Sequence, residues 1–330
     1  MVTVTLSTKK LVTVTIFLLA FTSSALAQEA AYPEKPVQIV LPLQVGSASD
    51  IAVRVFAERL AEGLKQALFV ENVTGAAGLI GADRLAKARP DGYTLAALNN
   101  SILTILPNIQ RERVKFDPFE DFAPVYGIAT IPTLLGVHES VPVRDVRALI
   151  SYAKARPGEL NYATGGPGSP QHLAGEMFMS MAGVRMTQVP YKGATGAAAG
   201  LAAGQVQVMF IAHSLALPYL PSGKVRPIAF AGGRRSAAFP DLPTVAEAGV
   251  PGYDYSSWIA LFAPKGTPGA VLDRLRKESA KVLAAPSMKE RLAKSGLEIW
   301  PVPAAELPGV IREDHARWAR VVKEASIKAD

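Results

Sequence analysis

Apolar strand-like runs alternate with amphipathic helices over the first third of the chain. Residues 35–42 are a short apolar run, and residues 49–64 carry apolar side chains at helical spacing. Two more strand-like runs follow at residues 68–72 and 91–100, with a helix between them that starts among small residues at position 75. Three strands separated by helices predict parallel pairing through right-handed crossovers.

The same alternation returns later in the chain. A helical pattern over residues 141–155 stops at Arg156-Pro157-Gly158. Four strand-like runs follow, at residues 160–164, 186–191, 205–212 and 225–232, with a helix of small residues closed by Gly204 before the third. Three helical stretches come last, at residues 270–283, 287–294 and 304–326.

Two further apolar runs, residues 132–139 and 257–264, lie where the chain would cross between two such units. The sequence therefore predicts a two-lobed α/β protein, with lobe 1 formed by residues 32–130 and 257–330 and lobe 2 by residues 131–256. Ligands of open parallel sheets bind outside the carboxyl ends of the strands, so the segments that follow the strands are the candidate site.

The N-terminal segment has the layout of a secretory signal peptide. Lys9 and Lys10 precede an apolar run that is shorter than the roughly 20 residues needed to span a bilayer. The run ends in the small-residue pattern Ala25-Leu26-Ala27. We expect residues 1–27 to be removed by cleavage after Ala27, which predicts a periplasmic protein.

The composition of the chain excludes several classes of function. The chain has 330 residues, of which 49% are hydrophobic and 19% charged, as in globular proteins. It has no cysteine, which excludes thiolate catalysis and thiolate metal sites. Loss of the signal peptide removes two lysines and no acid, so the net charge falls from +7 to +5. Because no dense basic run with interleaved aromatic residues is present, no nucleic-acid partner is predicted.

The stretch NYATGGPGSPQHLAGE, residues 161–176, contains the residue types of several kinds of site. Its glycine spacing does not match the dinucleotide pattern G-x-G-x-x-G, and the lysine of the Walker pattern is absent. It is not a nucleophile elbow, because Gln171 stands where the second glycine is needed. His172 and Glu176 could share a helix face, but a metal site usually needs three protein ligands and no other histidine has metal spacing. No metal or cofactor is predicted.

All of these residues fit a carboxylate-binding loop at the start of a helix. Ser169 or Gly168 can cap a helix from about Pro170 to Met181, with His172 packed beneath the loop. Glycines let backbone amides approach a ligand, and free amides at a helix start favour an anion.

The turn after the first strand, LPLQVGSASD, has the same features as this carboxylate-binding loop. Gly46 and Ser47 are small, Ser49 is the predicted N-cap, and Asp50 favours the helix start or holds a loop amide. The two turns, one in each half of the chain, are expected to face a single cleft.

Several stretches resemble the extracytoplasmic solute-binding proteins of the Bug family, the receptors of tripartite tricarboxylate transporters. They are YPEKPVQIV, VENVTGAAGLIGADRLAKARPDGYTL, NYATGGPGSPQHLAGEMF, VPYKGATGAAAGLAAGQVQVMF, RRSAAFPDLPTVAEAGVPG and SSWIALFAPKGTP, in that order. The resemblance covers the mature chain. It implies a type II periplasmic binding-protein fold whose two lobes close over a small organic carboxylate, without catalysis, and membrane transporter subunits as partners.

The chain departs from this family pattern at three places. Val45-Gly46-Ser47 replaces the usual Pro-Gly-Gly, and Gln44 stands where a small residue is common. Ile211-Ala212 replaces a common Asp-Asn, which favours a carboxylate without an amino group. The residues predicted to contact the ligand are small or polar and follow the predicted strands: Gln44, Gly46, Ser47, Ser49, Asp50, Asn99, Thr164, Gly166, Gly168, Ser169, Gly193, Thr195, His213 and Ser214.

Two other functions fit parts of the sequence. A secreted hydrolase would use Ser169 or Ser47 as its nucleophile, although neither has an evident histidine partner. A sensory receptor domain would have the same fold and pass its liganded state to a signalling partner.

Overall fold

The computed structural model describes residues 32–236 and 238–325. The predicted signal peptide, residues 1–27, lies outside the described residues. Within them the chain forms two β-sheets with helices packed around each, which confirms the predicted α/β class.

The first sheet has six strands in the order β11-β4-β10-β3-β1-β2. Their bounds are β1 Val37–Leu41, β2 Leu68–Asn72, β3 Thr94–Asn99, β4 Phe122–Thr130, β10 Trp258–Pro264 and β11 Glu298–Ile299. β1 pairs in parallel with both β2 and β3, as the alternating pattern predicts. β10 is antiparallel to β3 and β4, so the return of the chain completes this sheet.

The second sheet has five strands in the order β7-β6-β8-β5-β9. Their bounds are β5 Thr133–His138, β6 Asn161–Thr164, β7 Thr187–Pro190, β8 Val208–Ala212 and β9 Val225–Phe230. β6 is parallel to β7 and β8, whereas β5 is antiparallel to β8 and β9.

The helices follow the predicted pattern closely. They are α1 Ala48–Leu64, α2 Leu79–Ala86, α3 Leu106–Ile109, α4 Val146–Ala155, α5 Pro170–Ala182, α6 Ala194–Ala202, α7 His213–Ala216, α8 Gly269–Ala284, α9 Pro286–Lys294 and α10 Leu307–Ala325. A 3₁₀ turn at Ala76–Gly78 precedes α2, a π-helical turn at Ser101–Ile105 precedes α3, and a second 3₁₀ turn at Arg111–Arg113 follows it.

The chain crosses between the sheets after β4 and again before β10. The two crossings lie side by side, because the Ile131 N–H donates to the Ser257 carbonyl at 2.8 Å. Both predicted boundaries, 130/131 and 256/257, fall at these crossings. The division into two lobes with these bounds stays a prediction.

The C-terminal helix α10 packs against more than one part of the molecule. Asp314 accepts a hydrogen bond from the Thr104 hydroxyl at 2.7 Å, next to the first sheet. Trp318 is fully buried and stacks edge-on against Tyr255, in a core that includes strands of the second sheet. α10 therefore contributes to the packing beside the crossings.

Candidate ligand-binding site

A cavity of about 710 Å³ lies between the two sheets, beyond the carboxyl ends of β1, β3 and β6. Both halves of the chain line it, as the two-turn argument predicts. Its charged lining residues are Arg113 and Lys192, and the described residues of the lining include no carboxylate. Neither cation forms an ion pair with another described residue. The cavity therefore has the electrostatic character of an anion site.

The turn after β1 begins helix α1 with a serine cap. The Asp50 N–H donates to Ser47 Oγ at 3.2 Å, and Ser47 has the extended backbone typical of an N-cap. The prediction that Ser49 caps this helix is wrong, because Ala48 is already helical. Ser49 is instead the second residue of α1, is 4% exposed and lines the cavity.

Asp50 holds this turn in place from inside the protein. Its carboxylate accepts hydrogen bonds from the Gly46 N–H at 2.9 Å, from Arg54 Nε at 2.9 Å and from Asn72 Nδ2 at 2.9 Å. Asn72 also donates to the Leu43 carbonyl at 2.9 Å. Burial alone would raise the pKa of Asp50, but the hydrogen bonds from Arg54, Asn72 and Gly46 outweigh it and hold the pKa below its usual value.

The turn after β6 repeats this design. The His172 N–H donates to Ser169 Oγ at 3.4 Å, and Pro170 is the first residue of α5, which confirms the predicted cap. In both turns the serine follows a glycine in the left-handed region, with φ of 75° at Gly46 and 73° at Gly168. Each hydroxyl accepts from the backbone and keeps its own proton for donation to a ligand.

His172 supports the second turn from below, as the sequence predicts. Its side chain is buried, and Nδ1 accepts a hydrogen bond from the Gly168 N–H at 3.2 Å. Nε2 lies 3.6 Å from Glu176 Oε1, which also accepts from the Tyr162 hydroxyl at 2.6 Å. His172 is not part of the cavity lining, so it orders the loop rather than facing the ligand.

The other candidate residues divide into those in the lining and those behind it. The predicted residues in the lining are Gln44, Ser47, Ser49, Asn99, Gly166, Ser169 and Gly193. Those outside it are Gly46, Asp50, Thr164, Gly168, Thr195, His213 and Ser214. Thr164 supports the second turn, because Oγ1 accepts from the Gly166 N–H at 3.2 Å and from Gln188 Nε2 at 2.9 Å. A direct ligand contact stays a prediction for each residue.

His213 and Ser214 turn away from the cavity, in contrast to their predicted place in its wall. The His213 ring packs against Phe239 with centroids 4.7 Å apart, and burial lowers the pKa of His213. The Ser214 hydroxyl is buried and has no hydrogen-bond partner among the described residues. Because α7 begins directly after β8, the next side chain, Leu215, lines the cavity instead.

The turn after β1 touches the start of α6, which follows β7, across the cavity mouth. The Thr195 hydroxyl donates to the Gly46 carbonyl at 3.2 Å. The Gln44 side chain lies against Gly193, where an added Cβ would be 1.3 Å from Gln44 Oε1. Gly193 has φ 114°, a conformation that only glycine adopts readily. The structure therefore has the two halves of the site in a closed arrangement.

Sequence reasoning missed several lining residues. They include the loop Thr74–Gly78, Gln110, Arg113, Gln171, Lys192, Tyr255 and Ser257. The loop Thr74–Gly78 has a signal in the sequence, because Gly75 and Gly78 flank small residues directly after β2. In the structure these two glycines have φ of 125° and 102°. Arg113 and Lys192 lie far apart in sequence, so their joint place in one lining appears only in the fold.

The described part of the chain has neither a metal-binding cluster nor a membrane-spanning helix. Among residues 32–236 and 238–325, no group of three or more histidine and acidic side chains has the arrangement of a metal site. Within the same residues, no helix has the length and apolar character needed to cross a bilayer.

Comparison with known proteins gives a consistent result. The family model "Tripartite tricarboxylate transporter family receptor" matches residues 52–327. Protein BugT of Bordetella pertussis is 32% identical over 326 residues, which cover 97% of this chain and 98% of BugT. A UPF0065 protein from the tcbD-tcbE intergenic region of Pseudomonas sp. strain P51 is 33% identical over 311 residues, 94% of this chain and 92% of that protein.

Solved structures show the same similarity. R. palustris Rpa4515, solved with adipate, is 37% identical with a TM-score of 0.85 over 90% of this chain and 99% of that one. MatC (Rpa3494) from Rhodopseudomonas palustris, solved with bound malate, is 31% identical with a TM-score of 0.82 over 88% and 100% of the two chains. Both relatives hold organic acids.

Proposed function

Because this chain belongs to the Bug family of tripartite tricarboxylate transporter receptors, we propose that it is a periplasmic receptor that binds a small organic carboxylate in the cavity between its two sheets. The observation that carries the proposal is the lining itself. It combines two serine-capped helix starts with two cationic side chains and, among the described residues, no carboxylate.

A carboxylate fits the two helix starts on physical grounds. The first N–H groups of a helix have no partner within the helix, and the helix dipole adds a partial positive charge there. Helices α1 and α5 both begin at the cavity, and the hydroxyls of Ser47 and Ser169 are available as further donors. A hydrogen bond to a charged group contributes about 1.5–3 kcal/mol, so a few of them support micromolar binding.

Neither the site nor the relatives support a serine hydrolase. A catalytic serine needs a base within hydrogen-bond reach. None of the described residues that line the cavity is a histidine, and Nδ1 of His172 already accepts from the Gly168 N–H. Relatives of this chain are solute-binding receptors, and two of them are solved with organic acids.

The family and the N-terminal pattern support a proposal for export and for the partners of the protein. We propose cleavage after Ala27 and delivery of the ligand to membrane transporter subunits, with a signalling partner as the alternative. N-terminal sequencing of the exported protein should then begin at Gln28, and an intact N-terminus would contradict cleavage. Cross-linking of the liganded protein in membranes, followed by mass spectrometry, distinguishes transporter subunits from a sensor kinase.

Direct binding tests the proposed function. We expect the protein, stripped of ligand by unfolding and refolding, to be stabilised by an organic carboxylate from a panel that includes adipate and malate. At 100 times its dissociation constant the ligand should add about 2.7 kcal/mol to the free energy of unfolding. The acid should be recovered unchanged after long incubation. Conversion of the acid to a product would instead show an enzyme.

Ser169→Ala should weaken carboxylate binding about 10- to 100-fold, because it removes one hydrogen-bond donor to a charged group. Calorimetric titration measures this. Asp145→Ala is a matched control, since Asp145 caps α4 through the Ala148 N–H at 2.8 Å and does not line the cavity. Both variants lose about 1 kcal/mol of stability from the helix cap. Equal affinities of the two variants would contradict a ligand contact by Ser169.

In contrast to Ser169→Ala, His172→Ala should lower the stability of the protein strongly and change the ligand affinity little. The variant leaves the Gly168 N–H without its acceptor and a buried space beneath the loop, so stability should fall by about 2–4 kcal/mol. Affinity measured at 10 °C on the folded variant should stay within a few-fold of the wild type. A folded His172→Ala protein that binds nothing, beside a Ser169→Ala protein that binds normally, would overturn the assignment of the second turn.

A further inference from the structure

About half of the polar side chains in the cavity lining already have partners in the protein. Ser47 and Ser169 cap helices. The Ser257 hydroxyl donates to Asn100 Oδ1 at 3.2 Å, and the Thr133 hydroxyl donates to the Ile131 carbonyl at 3.3 Å. Side chains without such a partner are therefore informative about the ligand.

Among the unpartnered side chains of the lining, those of Gln171 and Ser49 belong to buried residues, and Gln171 is the longer of the two. It is the second residue of α5, is 7% exposed and lines the cavity. Its carboxamide makes no hydrogen bond to another described residue. The residue is more than nine-tenths buried and borders the cavity, so a group in the cavity is the partner that its carboxamide can bond, and this points to a ligand group.

The surroundings of Gln171 are built around its carboxamide. An added Cβ on Gly165 would lie 3.2 Å from Gln171 Oε1, 3.2 Å from the Ala194 nitrogen and 3.3 Å from the Gly193 carbonyl carbon. Gly165 does not have a positive φ, so its lack of a side chain serves close packing rather than backbone geometry. The carboxamide thus fits between the second turn and the start of α6.

The chemistry of a carboxamide selects among ligand groups. Its NH₂ donates and its oxygen accepts, whereas a carboxylate only accepts and would leave Oε1 unpaired. A hydroxyl both donates and accepts. Ser49, from the opposite half of the site, is 4% exposed and likewise has no side-chain hydrogen bond to another described residue. Both halves therefore offer a neutral hydrogen-bonding group in addition to the charged ones.

From this geometry, and resting on the proposed carboxylate-binding function, we infer that Gln171 is a specificity-determining residue that selects carboxylates bearing a hydroxyl group over their unsubstituted counterparts. Gln171 follows Ser169 by two residues within the first turn of α5. The ligand hydroxyl that contacts Gln171 therefore lies near the ligand carboxylate that is bound at the start of α5.

Matched pairs of acids test this inference: lactate and propionate, malate and succinate, 2-hydroxyglutarate and glutarate, 2-hydroxyadipate and adipate. For the pair that binds most tightly, the wild-type protein should prefer the hydroxy acid by at least about tenfold, because a buried polar group discriminates strongly against a ligand that leaves it unpaired. Gln171→Met, which keeps the length of the side chain, should reduce this preference to about twofold or less, with little change for the unsubstituted acid.

Two further variants make the result specific. Gln207→Met is the matched control, because Gln207 is partly buried in the same half of the protein, accepts a hydrogen bond from the Asn161 N–H at the start of β6, and does not line the cavity. It should retain the hydroxy-acid preference. Gln171→Glu should weaken both acids of the pair, because it places a negative charge beside the carboxylate.

The outcomes separate the two claims. Binding of both acids with equal affinity by the wild-type protein, or an unchanged preference in Gln171→Met, would overturn the role of Gln171 and leave the proposed function standing. Unchanged affinity in Gln171→Glu would also overturn it. Failure of every acid to bind the stripped wild-type protein would overturn the proposed function, and this inference with it.

Discussion

Gly193→Ala is expected to lower carboxylate affinity at least about 100-fold. The backbone of Gly193 has φ 114° and ψ 172°, a region that costs other residues about 1–3 kcal/mol. The new methyl group would also lie 1.3 Å from Oε1 and 2.1 Å from Cδ of Gln44. The strain and the clash together oppose the closed arrangement by about 3 kcal/mol, which corresponds to about 100-fold in affinity.

A double variant separates the two causes. In Gln44→Ala/Gly193→Ala the clash is gone and the strain remains, so affinity should recover by about tenfold relative to Gly193→Ala. Gly196→Ala is the control, because Gly196 lies in α6, which Gly193 precedes, and an added Cβ there would have its nearest neighbour, Tyr191 Cβ, at an ordinary 3.8 Å. Titration calorimetry gives the affinities.

Small-angle scattering shows whether the variant closes. The wild-type protein should have a smaller radius of gyration with ligand than without it, as expected for hinged closure. Gly193→Ala should keep the larger value at ligand concentrations that saturate the wild type. Wild-type affinity in Gly193→Ala would show that the contact across the cavity mouth is not needed for binding.

The elements with a strong local pattern are those that the sequence predicts well. The three parallel strands of the first sheet and helix α1 have continuous apolar or helical spacing and lie where they are expected. Strand β4 was missed because Pro124 and Gly127 interrupt its pattern. Gly127 is explained only by the fold, since a side chain there would lie 2.8 Å from the backbone and ring of Trp300.

The candidate site likewise has features that the sequence predicts and features that only the fold shows. Its two turns are local features, in which a glycine and a serine begin a helix after a strand, and both are evident in the sequence. Side-chain direction is not local. Gln171 and His172 are neighbours at the start of α5, yet one lines the cavity and the other supports the loop. Arg113 joins the same lining from a turn that has no evident signal in the sequence.

Asp50→Ala should lower the free energy of unfolding by about 3 kcal/mol at pH 7. The variant removes the acceptor of hydrogen bonds from the Gly46 N–H and Asn72 Nδ2, and it ends the ion pair with Arg54. Asp50 is 3% exposed, so water replaces these partners poorly. Glu62→Ala, in the same helix, is the control, because its pair with Arg59 is exposed and contributes at most about 1 kcal/mol.

The effect of Asp50 on stability should depend on pH in a defined direction. Its pKa in the folded protein lies below the ordinary value of 3.8. A lowered carboxyl pKa stabilises the folded state fully at pH values above the unfolded pKa, and the stabilisation is lost as pH falls toward the folded pKa. The difference in stability between the wild type and Asp50→Ala should therefore be constant from about pH 5 to 7 and shrink below about pH 4.

Urea unfolding followed by circular dichroism at several pH values measures this difference. Affinity should change as well, because the Gly46 N–H and the Leu43 carbonyl are held through Asp50 and Asn72. Without these contacts the turn must be ordered when the ligand binds, which should weaken binding about tenfold. A stability difference that stays the same down to pH 3, or a variant with wild-type affinity, would show that Asp50 does not hold the turn through its charge.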